Sequence, residues 1–152
     1  MVNMTPKTQE ALNNVQLLQG EEIQYAVQAD GFFVGTGAIE KLQAKISAFF
    51  TKITGGHIRM FLIITNNRVL LIESTAKCCG FQASRVVHTI ASKSVVEAGT
   101  VRETTWCCIH TRMIQIESLT QKYVLVAKTM TDQELMEFIT RMSLLITSNP
   151  AH

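Results

Sequence analysis

Residues 57–74, HIRMFLIITNNRVLLIES, hold two apolar runs of strand length joined by Asn66-Asn67. Asparagine tolerates left-handed backbone angles, and a two-residue hairpin turn of type I′ requires them at both central positions. The spacing therefore predicts strands over about 57–65 and 68–74. Apolar residues occupy both alternating sets of positions in each run, so the hairpin is expected at the centre of a sheet with both faces covered.

Working outward, the chain reads mainly as strands. Upstream, EEIQYAVQA (21–29) alternates Ile23, Tyr25 and Val27 with polar neighbours, the pattern of a half-buried strand. Downstream, STAKCCGFQASR reads as a loop or irregular strand. VVHTIA and SVVEAGTV supply short β-branched segments, and TTWCCIHT, RMIQIES and KYVLVAK read as successive strands with SLTQ as a turn. The spacing suggests a meander in a small sandwich or barrel.

Helices are expected at both ends. Thr5 suits an N-cap and Pro6 a first helical position, with Ala11, Leu12, Val15 and Leu18 at helical spacing and Gly20 as the stop, giving a helix within 1–19. Near the other end, Thr131-Asp132-Gln133-Glu134 is a capping box. Leu135, Met136, Phe138, Ile139, Met142, Leu145 and Ile146 follow as an apolar stripe, giving a helix over 131–147.

Between the first strand and the hairpin lies a glycine-bounded segment, 31–56, expected to be a helical insertion. Within it, 38–53 (AIEKLQAKISAFFTKI) places Ile39, Leu42, Ile46, Phe49, Phe50 and Ile53 on one helical arc, with Lys41, Lys45 and Lys52 beside it. Phe32 and Phe33 precede it. Three roles compete for this arc: packing on its own barrel, meeting a neighbouring copy, or touching a membrane surface. Packing over the barrel is what amphipathic helices generally do in soluble domains, while Phe32 and Phe33 strengthen assembly, because aromatic residues are enriched at interface anchors. The three lysines, with Arg59 nearby, would give an anionic-lipid contact, but only a marginal one at about 1 kcal/mol per lysine.

Composition bounds the rest. The 152 residues form one domain's worth of chain, and 47% hydrophobic content with 17% charged residues argues against disorder. A formal charge of +2 gives no ground for a nucleic-acid partner. No apolar window is long enough to span a membrane, and MVNMTPKTQE has neither the basic start nor the apolar core of a secretory signal. A cytoplasmic location with free thiols is the expectation.

Chemistry-bearing motifs are sparse. Cys78-Cys79 and Cys107-Cys108 are adjacent pairs, whereas structural zinc sites separate paired ligands by two to four residues, so no metal is expected. Cys108 and His110 would share a strand face and could form a nucleophile and base, but no third orienting group is identifiable. The remaining histidines, His57, His88 and His152, carry no motif. The glycines at 31, 35, 37, 55 and 56 lack the phosphate-loop pattern, and two aspartates, Asp30 and Asp132, leave a paired-carboxylate site without support. No cofactor is implied.

The order of strand, central hairpin, further antiparallel strands and one capped helix resembles the bacterial pleckstrin-homology-like domains. Gly20-Glu21 before the first strand and Thr65-Asn66-Asn67-Arg68 at the hairpin look like that family's Gly-Glu and T-N-x-R motifs. The closing YVLVAKTMTDQELMEFI is similar as well, and the match covers about 20–146. The resemblance implies a barrel of two near-orthogonal antiparallel sheets, of about seven strands, capped by the C-terminal helix. It further implies a non-enzymatic binding or assembly role, with a homo-oligomer or another protein as partner. The motifs support fold better than function.

Overall fold

The computed structural model of the protein describes residues 5–13, 15–29, 31–35, 58–75, 84–105, 109–127 and 130–148. The segment 38–53 lies outside them, as do all four cysteines, His57 and His152. Among the described residues the fold is mainly β, with two four-stranded antiparallel sheets. The first sheet has the order β1 (Ile23–Ala29), β3 (Ile58–Thr65), β4 (Arg68–Thr75), β5 (Ser84–Ala91). The second has the order β2 (Gly31–Gly35), β8 (Lys122–Val126), β7 (Ile109–Ser118), β6 (Val95–Thr105). Helix α1 covers Pro6–Leu12 and helix α2 covers Asp132–Ser148.

The hairpin lies where its sequence placed it. β3 and β4 pair from Ile58↔Thr75 to Ile64↔Val69, so Asn66 and Asn67 form a two-residue connection. Met60, Leu62, Ile64, Val69 and Leu71 face the core that the two sheets share. Phe61, Ile63, Leu70 and Ile72 face the other way, into a second cluster with Ala11 of α1 and with Leu12, Val15, Ile23 and Ala26 packed against it. An antiparallel sheet commonly leaves one face to water. Here a short helix covers that face, and each fully buried Leu or Ile contributes about 1.5–3 kcal/mol.

Helix α2 begins as the capping box requires. The Thr131 amide donates to Glu134 Oε2 at 2.7 Å and the Glu134 amide donates to Thr131 Oγ1 at 3.2 Å. Phe138, Met142 and Leu145 are buried in the shared core, and α2 packs against β6, β1 and β3, strands of both sheets. Met136, expected in the apolar stripe, is exposed instead.

Several expectations are corrected. Eight strands are present among the described residues, because 31–35 is not the start of a helical insertion. Phe-Phe-Val between two glycines forms β2, paired with β8 through Phe32↔Leu125 and Phe33↔Val124. TTWCCIHT is not one strand, since β6 runs to Thr105 and β7 starts at Ile109. Helix α1 is capped by Thr5 and carries Pro6 in its first turn, but it stops at Leu12 and does not reach Gly20.

Two β-bulges set which residues face inward. The β1–β3 register shifts between Ile23 and Tyr25, which makes Gln24 an extra residue. Ile23 consequently joins the α1 cluster while Tyr25, Val27 and Ala29 face the shared core, so the expected single face of Ile23, Tyr25 and Val27 is broken. The β6–β7 register shifts likewise at Val96. No strand pair joins the two sheets among the described residues.

Candidate functional site

Gly20-Glu21 and Thr65-Asn66-Asn67-Arg68, far apart in sequence, form one hydrogen-bonded clasp. Gly20 has φ +76°, a backbone angle that favours glycine, and a Cβ there would meet no atom within 4 Å, so the angle rather than crowding selects the residue. The turn lets the Glu21 amide donate to Leu18 O at 3.0 Å and brings the Leu18 amide to Glu21 Oε2 at 2.7 Å. Arg68 donates in a fork, Nε to Glu21 Oε1 at 2.8 Å and Nη2 to Oε2 at 2.9 Å. Thr65 Oγ1 donates to Oε1 at 2.7 Å, and Arg68 Nη2 also reaches Gln16 O at 3.0 Å.

Asn66 completes the clasp. Its Oδ1 accepts from the Glu22 amide at 3.0 Å, its Nδ2 donates to Gly20 O at 3.0 Å, and its own amide donates to Glu22 O at 3.1 Å. Burial pushes the Glu21 carboxyl upward, but Arg68, the Leu18 amide and the Thr65 hydroxyl together outweigh it and hold the carboxyl at about 2. A carboxylate so fully accepted and so far below neutrality is a poor acid or base at pH 7. Its role is to lock the chain before β1 onto the hairpin tip.

Next to the clasp lies a groove of about 350 Å3 between the C-terminal half of α2 and the tips of β1 and β3. The bulge turns Gln24 into this groove, where its Oε1 accepts from Arg141 Nη1 at 3.5 Å. Arg141 Nη2 also stands 3.7 Å from Glu137. Ile64, Leu144 and Leu145 supply apolar walls, and Thr147 turns its hydroxyl back to Ser143 O at 2.8 Å. The described lining holds neither carboxylate, histidine nor cysteine. Its volume lies at the small end of the range for ligand sites, and its donors suit holding a polar group beside an apolar one.

The remaining buried polar groups serve the frame. Tyr25 donates to Glu134 O at 3.1 Å, and burial, with Glu134 and Glu137 nearby, pushes its phenol up. Burial also pushes up the Tyr123 phenol, which donates to Gln121 Oε1 at 2.8 Å and stands edge-on to His88. Arg112 ties the start of α2 to β7, donating to Met130 O and pairing with Asp132 at 2.8 Å.

Among the described strands Phe32 and Phe33 lie on β2, an end strand of the second sheet, and Arg59 lies on β3, an inner strand of the first. They are not neighbours in one strand pair. His110 lies on β7 opposite Thr104. Ile39, Leu42, Ile46, Phe49, Phe50, Ile53, Lys41, Lys45, Lys52 and Cys108 fall outside the described residues. No group of three His, Cys, Asp or Glu side chains suited to a metal ion occurs among the described residues. Among them, too, no helix is long and apolar enough to cross a membrane.

Sequence reasoning missed the groove, because the bulge that builds it exists only in the pairing register. It found the clasp residues but took them for turn and core markers. An acidic residue after a glycine, together with an arginine just past a hairpin turn, is the signal from which the ion pair could have been read. No family model matches the chain, and neither the curated proteins nor the solved structures give a match.

Proposed function

We propose that the chain is a non-enzymatic binding and assembly module of the pleckstrin-homology-like type, self-associating, its two sheets being the halves of a barrel that α2 caps. Support for the barrel comes from the path of the chain. It passes from the first sheet to the second between Ala29 and Gly31, and again through the 3-10 turn Ser92–Ser94, while α2 packs on strands of both.

One observation carries the assembly reading: where large apolar side chains stay on the surface. Val86 and Val87 of β5 are 42% and 41% exposed. Val96, beyond the 3-10 turn, and Leu119, whose amide donates to Ser94 O at 2.9 Å, are more exposed still. These four lie along the strand run that ends one sheet and begins the other, whereas Leu17, Leu18, Met136 and Leu144 are exposed elsewhere. Exposed apolar groups gathered along one run mark an interaction surface. The anionic-lipid alternative draws on Lys41, Lys45 and Lys52, which lie outside the described residues, and on Arg59.

Light scattering over a range of protein concentrations tests the reading. The expected mass exceeds the 16.9 kDa of one chain. A mass of 16.9 kDa at the highest concentration attainable overturns it.

A further inference from the structure

Among the described residues the two sheets have four edge strands, β1, β5, β2 and β6, and an edge presents amides and carbonyls on which another strand can add. Folded proteins blunt such edges with bulges, short strands, charges, proline or a covering helix. Three of the four carry such a device. β1 is bulged at Gln24 and has α2 against it, held by Tyr25 to Glu134 O and by Arg141 to Gln24. β2 is only five residues long. β6 is bulged at Val96, and α2 packs against it.

Among the described residues β5 carries none of them. Its eight residues, SRVVHTIA, pair with β4 in unbroken register from Arg68↔Ala91 to Thr75↔Ser84. It contains neither proline, lysine nor an acidic residue, and Arg85, near one end, is its one formal charge. His88 and Ile90 face the shared core, yet Val86 on that same side is 42% exposed, and Val87 on the opposite side is 41% exposed. The strand is therefore open to solvent on both faces at its Val-Val step.

We propose that β5 pairs antiparallel with β5 of a second copy about a twofold axis, joining two four-stranded sheets into one continuous sheet. This rests on the assembly reading and names its surface. The strand is its own complement. A twofold axis normal to the sheet keeps like faces together; centred on Val87, it sets Val87 opposite its own copy and Val86 opposite His88, pairs that suit a β-branched edge. It also sets Arg85 opposite Thr89, so the two arginines never face each other, whereas like charges directly opposite would destabilise the pairing. A twofold contact is isologous and closes, giving a dimer rather than a fibre.

Sedimentation equilibrium on wild type, Val87→Lys and, as a control on exposed α2, Met136→Lys tests the proposal, with circular dichroism reporting that each variant folds. The expected result is a wild-type mass twice 16.9 kDa, a Val87→Lys mass of 16.9 kDa and an unchanged Met136→Lys. Should Val87→Lys not fold, Thr89→Lys, at an exposed position of the same strand, carries the same expectation. A folded β5 variant that keeps the wild-type mass overturns the edge pairing and leaves the assembly reading standing. A wild type at 16.9 kDa throughout overturns both.

Discussion

β1 and β5 are the two edges of one sheet, and the chain treats them differently. The β1 side is fastened three times over: the clasp fixes its entry, the bulge redirects Gln24, and α2 lies against it. Each fastening uses residues far away in sequence, with Glu21 and Arg68 separated by 47 positions. The β5 side is a plain strand with exposed valines and an unbroken ladder to β4. Polar fastenings are thus concentrated at the β1 edge, while the β5 edge carries the exposed Val86 and Val87.

The largest effects come from breaking the β1 side. Phe138, fully buried, stands with its ring 6.3 Å from that of Tyr25 and holds α2 over the core. Phe138→Ala should cost about 3–5 kcal/mol, read as a fall in the midpoint of urea unfolding. Arg68→Ala leaves the buried Glu21 carboxylate without its fork. The loss should be about 3 kcal/mol, near the low end for a broken buried pair because Arg68 keeps some exposure. A variant as stable as wild type would show that the clasp is ornamental.

Acid should loosen the same clasp. The Glu21 carboxyl is lowered from 4.5 to about 2, so its stabilisation is complete above its unfolded value and is lost as pH falls from 4.5 toward 2. The loss should approach about 3 kcal/mol for that group. Unfolding midpoints measured down this pH range should fall more steeply in wild type than in Glu21→Gln. Equal slopes would place the acid-sensitive group elsewhere.

Smaller effects refine the contrast. Thr131→Ala removes the cap of the helix that carries Glu134 O to Tyr25, and should cost about 1 kcal/mol in the same unfolding measurement. Val87→Lys, compared with wild type at a concentration low enough to separate paired copies, should change fold stability by no more than about 0.5 kcal/mol, since it alters a solvent-exposed position. A large loss there would mean that Val87 supports the fold of the single chain.

Much of the frame was legible because it is local. The hairpin shows in alternating apolar runs around Asn66-Asn67, and both ends of the helical pattern show in Thr5-Pro6 and Thr131–Glu134. What was hidden depends on pairing. β2 is too short and too glycine-bounded to stand out, although Phe32, Phe33 and Val34 are good strand formers. The flip between Ile23 and Tyr25 arises only when Gln24 is left over against β3. α1 stops early because the chain past Asn13 is needed elsewhere, giving Gln16 O to Arg68 and the Leu18 amide to Glu21. For the candidate site, the clasp residues were visible as a motif, whereas the groove and the unguarded edge become visible only with the sheet order.

Hydrogen exchange of the wild-type protein, followed at several concentrations, tests the contrast most directly. Amides of an unpaired edge exchange readily, and those bonded to a second strand are protected. β5 amides should gain protection as concentration rises, while β1 amides should exchange at a rate independent of concentration. Exchange in β5 that stays the same from the lowest to the highest concentration would contradict the edge pairing.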